Sequence, residues 1–94
     1  MHIGIPKEIK NNEYRVAIVP SIVRELTKYG HQVFIETKAG SGIDISDSDY
    51  QQAGATILNT AKEVFDQGDL ILKVQEPQVE ECGYLRAGKT LFTF

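Results

Sequence analysis

Short apolar runs alternate with helix-start signals along this chain, and this alternation constrains the fold more than any other feature. Strand-like runs lie within residues 3–5, 32–37, 69–74 and 90–94. Segments with helical spacing or capping residues separate them. Strands that alternate with helices indicate βαβ units, whose parallel sheet is covered on both faces. We therefore predict an α/β fold with a doubly wound, mainly parallel sheet of flavodoxin-like or Rossmann-like type.

The helices are predicted mainly from the residues at their ends. Pro20 suits a first helical turn, apolar side chains recur at helical spacing after it, and Gly30 supplies the C-cap. Capping boxes at residues 46–49 and 60–63 open two shorter helices. The predicted helical segments cover residues 20–30, 46–54, 60–68 and 80–85.

Length and composition exclude several classes of protein. The 94 residues suffice for one small domain, and a net charge of −3 without a basic patch argues against nucleic-acid binding. No apolar run approaches the ~20 residues of a membrane-spanning helix. Cys82 is the single cysteine, which fits a reducing compartment, so a cytoplasmic protein is expected. The strand-like run that stops at Phe94 without a polar tail predicts a domain truncated at its C-terminus.

Polar residues follow two of the predicted strands, at the edge where open parallel sheets bind ligands. Lys73 and Gln75 end the stretch "DLILKVQEP", and Arg15 lies in the long loop after the first strand. On a regular strand Lys73 and Gln75 would point to one face. An arginine opposite them would clamp a carboxylate with its planar fork. The alternatives remain open: any strand becomes polar where it leaves the core, and Arg15 would equally be a solvated charge paired with Glu13 or Glu8.

Other candidate sites carry weaker signals. The stretch "GSGIDI" at residues 40–45 has two glycines, but Ile45 occupies the place of the third glycine of a dinucleotide fingerprint, so a plain turn is expected there. His2 and His31 have no second ligand at metal spacing, so no metal site is predicted. Cys82 lies beside two glutamates, which do not activate a thiol.

At "GIPKEIKNNEYRVA" the chain resembles the start of the alanine dehydrogenases, which share an N-terminal domain with the nicotinamide nucleotide transhydrogenases. The likeness continues through "YGHQVFIETKAGSGI", "DSDYQQAGA", "LKVQEP" and "GYLRAGKTLFTF". It covers essentially the whole chain. The order PKE, NN, RV of the opening motif has no general structural explanation and is specific to the family.

The resemblance implies an enzyme that interconverts L-alanine with pyruvate and ammonia, uses NAD and assembles as a hexamer. Residues 1–94 would be an N-terminal, substrate-binding fragment, inactive alone, with NAD bound by a second domain. Arg15 matches the family arginine that binds the substrate carboxylate, and Lys73 lies two residues before the family's second substrate contact. That contact is a lysine in the family and Gln75 here. The family's catalytic histidine would lie just past Phe94.

Gln75 leaves three interpretations open. A lysine there would offer a positive charge to the substrate, whereas glutamine donates hydrogen bonds but adds no charge and no acid–base chemistry. The order of preference is an alanine dehydrogenase with an altered site, a transhydrogenase-like subunit, and a non-catalytic protein that binds small acids.

Overall fold

The computed structural model describes residues 1–10, 13–84 and 88–93. The strands are β1 (His2–Ile5), β2 (Gln32–Glu36), β3 (Thr56–Leu58), β4 (Leu70–Lys73) and β5 (Thr90–Thr93). The helices are α1 (Pro20–Lys28), α2 (Asp47–Gln52), α3 (Ala61–Gln67) and α4 (Val79–Cys82), with a 3₁₀ turn at Ser41–Ile43. The strands form one sheet in the order β3-β2-β1-β4-β5, and the pairs along it are all parallel.

This strand order confirms the predicted α/β fold and selects one of its two types. A sheet in the order 3-2-1-4-5 is of the Rossmann kind, whereas the flavodoxin order is 2-1-3-4-5. The predicted strands at residues 3–5, 32–37 and 69–74 are present as β1, β2 and β4. The predicted run at 90–94 is β5 as far as Thr93, and Phe94 lies outside the described residues.

Two details of the predicted elements need correction. The strand β3 was missed, because three residues at a sheet edge are too few to show a period of two. The helix predicted at residues 80–85 is the single turn α4, which begins at Val79 and ends at Cys82. Residue 85 lies outside the described part of the chain.

The capping residues begin helices where the sequence places them. The Asp49 amide donates to Ser46 Oγ at 3.1 Å, and the Ser46 amide donates to the Asp49 carboxylate at 3.1 Å, so the capping box of α2 is complete. At the start of α3 the Glu63 amide donates to Thr60 Oγ1 at 3.2 Å, but the Glu63 carboxylate accepts the Thr60 hydroxyl at 3.0 Å, so the predicted box forms only by half. Helix α1 has Pro20 at its first position and no side-chain cap.

Helices cover both faces of the sheet. Ile3 and Ile5 point from β1 into a core that includes Val23 of α1 and Tyr50 of α2. Gly4 points the other way, and a Cβ there would lie 2.9 Å from the backbone oxygen of Val64 in α3. The alternation along β1 therefore separates α1 and α2 from α3, which is the doubly wound arrangement.

The chain reverses direction across the sheet at β1. From β1 it proceeds through β2 to β3 on one side, then crosses to β4 and β5 on the other. The loops after β1 and β4 therefore leave the sheet side by side and in opposite directions. In open α/β sheets this reversal opens a crevice at the carboxyl ends of the strands, where ligands bind.

In the part of the chain that the structure describes, no helix has the length and apolar character needed to cross a membrane.

Candidate functional site

Glu8 fastens the loop after β1 to the end of β4. Its carboxylate accepts the Val74 amide at 2.9 Å and the Gln75 amide at 3.2 Å, so it satisfies two backbone donors that have left the strand. It also accepts the Lys73 ammonium at 3.1 Å. Because these bonds join residues more than sixty positions apart, they fix the two sides of the crevice relative to each other.

Lys73 is fully buried between two carboxylates. Its Nζ lies 3.1 Å from Glu8 Oε1 and 2.9 Å from Glu81 Oε2, and the Lys73 side chain has no exposed surface. Glu81 also accepts a hydrogen bond from the backbone amide of Gln78 at 3.0 Å, which connects the start of α4 to the same cluster. A buried charge is tolerated only when it is paired and hydrogen-bonded, and each of these three side chains meets that condition.

Arg15, Glu13 and Gln75 form a hydrogen-bonded chain at the mouth of the crevice. Arg15 Nε donates to Glu13 Oε2 at 2.9 Å and Arg15 Nη2 donates to Glu13 Oε1 at 2.8 Å, which is a bidentate pair. The Arg15 amide donates to the same carboxylate at 3.0 Å. From the other side, Gln75 Nε2 donates to Glu13 Oε1 at 2.6 Å.

Four donated bonds hold the Glu13 carboxylate in its ionised form. Hydrogen bonds from the Arg15 side chain, which have the larger effect, and from the Gln75 side-chain amide lower the pKa of Glu13 to about 2. The same pairing raises the pKa of Arg15 above its ordinary value. At neutral pH both groups are therefore charged.

Two cavities meet at Arg15. The larger, of about 490 Å³, lies between the loop after β1 and the 3₁₀ turn, and its lining is mainly polar. The lining side chains include Lys7, Lys10, Lys38, Glu13 and Arg15. The smaller, of about 310 Å³, is lined by Arg15 and by the mainly apolar residues Val16, Ala17, Ile43 and Val74. A guanidinium beside a small apolar cavity suits an acid with a short aliphatic group.

The glycines of the stretch 40–45 are packed against the chain itself. A Cβ on Gly42 would lie 2.6 Å from the Tyr14 backbone oxygen, and one on Gly40 would lie 2.8 Å from the Ile45 backbone oxygen. These glycines allow close contact between backbone segments, as in a tight turn. The glycines therefore serve the packing of the turn against the loop after β1.

The three sequence-predicted site residues take different places. Arg15 lies at the crevice and lines both cavities, and it is paired with Glu13. Strand β4 ends at Lys73, so Gln75 lies in the bend beyond it, and the expected alternation of a regular strand does not extend to Gln75. Lys73 points into the buried cluster, and Gln75 contacts Glu13.

Residues that sequence reasoning did not assign to the site include Glu8, Glu13 and Glu81. Glu13 was considered only as a partner that would neutralise Arg15. The spacing of two residues between them was a usable signal, whereas nothing local connects Glu8 or Glu81 with Lys73. Among the described residues, no group of three or more His, Cys, Asp or Glu side chains is arranged to hold a metal ion.

Fold and site together define a Rossmann-type α/β domain with an arginine at the crevice between β1 and β4. The profile of the family described as "Alanine dehydrogenase/PNT, N-terminal domain" matches residues 4–94. The chain therefore belongs to this family, which confirms the resemblance.

Individual relatives agree with this assignment. The whole chain is 55% identical over 94 residues to an alanine dehydrogenase of Mycolicibacterium smegmatis and 53% identical to one of Methanococcus maripaludis. It spans 25% of the length of each. Among solved structures, an L-alanine dehydrogenase matches with a TM-score of 0.96 at 47% identity, over 100% of this chain and 26% of its own. A transhydrogenase from Sinorhizobium meliloti matches with a TM-score of 0.90 at 35% identity, over 99% of this chain and 27% of its own.

Proposed function

We propose that residues 1–94 are the N-terminal, substrate-binding domain fragment of an NAD-dependent alanine dehydrogenase. The observation that carries this proposal is the place of Arg15, at the crevice between β1 and β4 and beside a small apolar cavity. A guanidinium there suits the carboxylate of alanine or pyruvate, and the cavity suits the methyl group. Family membership supplies the reaction class.

The proposed roles follow from the contacts of each side chain. Arg15 binds the substrate carboxylate through its exposed side. Gln75, which stands where the family has a lysine, holds Glu13 and faces the same crevice. Lys73 has a structural role at the site, because its buried ammonium binds Glu8 and Glu81.

The remaining parts of the enzyme are proposed on family grounds. NAD accepts the hydride and is held by a second domain, since residues 40–45 lack the third glycine of a dinucleotide fingerprint. The catalytic histidine follows residue 94, so residues 1–94 alone are inactive. The full-length protein is a cytoplasmic hexamer that acts in amino-acid catabolism.

A second candidate is a transhydrogenase alpha-subunit-like domain, and the observation that favours it is Gln75. "LKVQ" followed closely by proline is similar to the transhydrogenase branch. A non-catalytic relative that binds small acids is a third candidate and would use the same arginine.

A chimera separates these candidates. The matching 94 residues of the Mycolicibacterium smegmatis enzyme are replaced by this chain, and NADH oxidation is measured with pyruvate and ammonium. The dehydrogenase proposal expects an active chimera. A chimera that folds like its parent but oxidises no NADH contradicts the proposal and favours the other two candidates.

Arg15→Lys in the chimera tests the carboxylate role. The substitution keeps the charge and loses the planar fork, so KM for pyruvate should rise about tenfold or more, the equivalent of one charge-assisted hydrogen bond of about 1.4 kcal/mol. Arg24→Lys, on the exposed side of α1, is the matched control and should leave KM unchanged. An unchanged KM in Arg15→Lys would make Arg15 a solvated loop charge.

A further inference from the structure

The guanidinium of Arg15 has two edges, and Glu13 occupies one of them. The Nε and Nη2 groups donate to the Glu13 carboxylate at 2.9 and 2.8 Å. A guanidinium has five N–H donors, so the edge formed by Nη1 and Nη2 keeps a parallel pair of donors. In the part of the chain that the structure describes, no hydrogen bond to Nη1 is present, and the Arg15 side chain is 68% exposed.

Glu13 is held much more firmly than a loop carboxylate would be. Its side chain is only 5% exposed, and Gln75 Nε2 donates to it at 2.6 Å. The backbone of Gln75 is itself bound to Glu8, which is part of the buried cluster around Lys73. Glu13 therefore connects the Arg15 guanidinium with the end of β4, so that a residue on a long loop is positioned by the sheet.

We infer that Glu13 is a positioning residue that holds Arg15 by its Nε–Nη2 edge and presents the Nη1–Nη2 edge to the carboxylate of a small acid. This inference deepens the proposed function and rests on it. Glu13 remains bound while the ligand binds, and the two carboxylates occupy different edges of one guanidinium. Gln75 then acts on the ligand through Glu13 and Arg15.

The charge of the cleft agrees with this arrangement. Glu13 neutralises Arg15, so the guanidinium alone does not attract a second anion over a distance. Lys7, Lys10 and Lys38 line the same cleft and add positive charge around it. Lys10 is itself paired with Glu76 at 3.5 Å, and the buried cluster around Lys73 carries one net negative charge. Lys7 and Lys38 remain as cations near the pre-oriented donor pair that an incoming carboxylate meets.

The alternative is that Glu13 is a competitor that a ligand must displace. The two interpretations predict opposite signs for Glu13→Gln. If Glu13 positions Arg15, replacing its carboxylate by an amide turns one N–H group toward Arg15. The guanidinium then loses its orientation and the ligand binds more weakly. A competitor that is removed lets the ligand bind more tightly.

The test is an NMR titration of the 94-residue chain with pyruvate as the probe, at constant ionic strength. Glu13→Gln should raise the Kd for pyruvate about fivefold or more. Glu25→Gln, which changes the net charge equally on the exposed side of α1, should stay within about twofold of the unmodified chain. Unchanged or tighter binding in Glu13→Gln would overturn the inference.

A second measurement needs no variant and reports on the contact itself. The Arg15 Nε–H signal should exchange slowly with solvent in the free chain and equally slowly at saturating pyruvate, because the ligand takes the other edge. Loss of this protection on adding pyruvate means displacement and overturns the inference. If the signal is protected but pyruvate does not bind, the proposed function and the ligand half of the inference are both wrong, while the Glu13–Arg15 contact stands.

Discussion

At the scale of single residues, the side chain at position 75 contacts both a carboxylate and an ammonium group at the crevice. Gln75 donates to Glu13, and Lys10 Nζ lies 3.5 Å from Gln75 Oε1. An amide can serve both neighbours, since it offers a donor to the carboxylate and an acceptor to the ammonium. The glutamine is therefore well accommodated at this place.

Gln75→Lys in the chimera should raise kcat/KM for pyruvate by about tenfold. A cation there would stabilise the charge that develops on the carbonyl oxygen during hydride transfer. The gain in kcat/KM should stay below the factor of about 10² that a single oxyanion donor contributes in other enzymes, because Glu13 would partly neutralise the introduced ammonium group. Steady-state kinetics with pyruvate as the varied substrate measures the effect.

Gln78→Lys, just before α4, is the charge-matched control. A variant no faster than the starting chimera would show that Gln75 is not a weakened catalytic position and would favour the transhydrogenase-like candidate.

At the scale of secondary-structure elements, one buried cluster joins three of them. Lys73 at the end of β4 binds Glu8 of the loop after β1 and Glu81 of α4. The cluster carries two negative charges and one positive charge away from solvent, so its stability depends on every bond being made.

Lys73→Met should destabilise the chain by about 3–5 kcal/mol, because two carboxylates lose their buried cation. Urea unfolding followed by circular dichroism gives the change in the free energy of unfolding. Lys62→Met is the matched control: it removes an exposed ion pair with Asp66 and should cost less than about 1 kcal/mol. Equal effects of the two substitutions would contradict the importance of the buried cluster.

A second link between elements is the hydroxyl of Tyr50 in α2, which donates to the Ile18 carbonyl at 2.7 Å. Burial raises the pKa of Tyr50 to about 12. The unfolded chain loses this proton near pH 10 and the folded chain does not, so the free energy of unfolding should fall as the pH rises from about 10 to 12.

Tyr50→Phe should remove the latest step from the titration of the four tyrosines at 295 nm. It should also cost about 1–2 kcal/mol at pH 7, since the buried Ile18 carbonyl loses its donor. Tyr29→Phe, at a tyrosine that is 73% exposed, is the control. A late step that persists in Tyr50→Phe would contradict the assignment.

At the scale of the whole molecule, the strand order places the chemistry. β1 is central, and the reversal of chain direction beside it brings the loops after β1 and β4 to one crevice. Arg15 comes to this crevice from one loop and Gln75 from the other. The strand order therefore brings together residues that lie far apart in the sequence.

The purified 94-residue chain should bind pyruvate without turning it over. Assays with pyruvate, ammonium and NADH should show no oxidation above the background without protein, whereas the chimera should be active. Measurable turnover by residues 1–94 alone would show that the chain binds NAD and carries its own acid–base group, and would contradict the proposed division of labour.

Local signals in the sequence determined the elements and one site residue. The capping box of α2, the Thr60 cap of α3, the strands β1, β2 and β4, and the loop that carries Arg15 all follow from patterns within about ten residues. These patterns act through hydrogen bonds and side-chain direction inside one element, so they need no knowledge of the rest of the chain. The family motifs added the function class and the expected role of Arg15.

Only the tertiary structure decided the strand order, the short edge strand β3, the burial of Lys73 and the bidentate pairing of Glu13 with Arg15. The contacts responsible join residues far apart in the chain: Gln75 and Glu13 are 62 positions apart, and Lys73 and Glu8 are 65. A polar residue after a strand looks the same in sequence whether it faces solvent or a buried partner. The packing of β4 beside β1 makes Lys73 the cation of a buried cluster and makes Gln75 the group that holds Glu13 against Arg15.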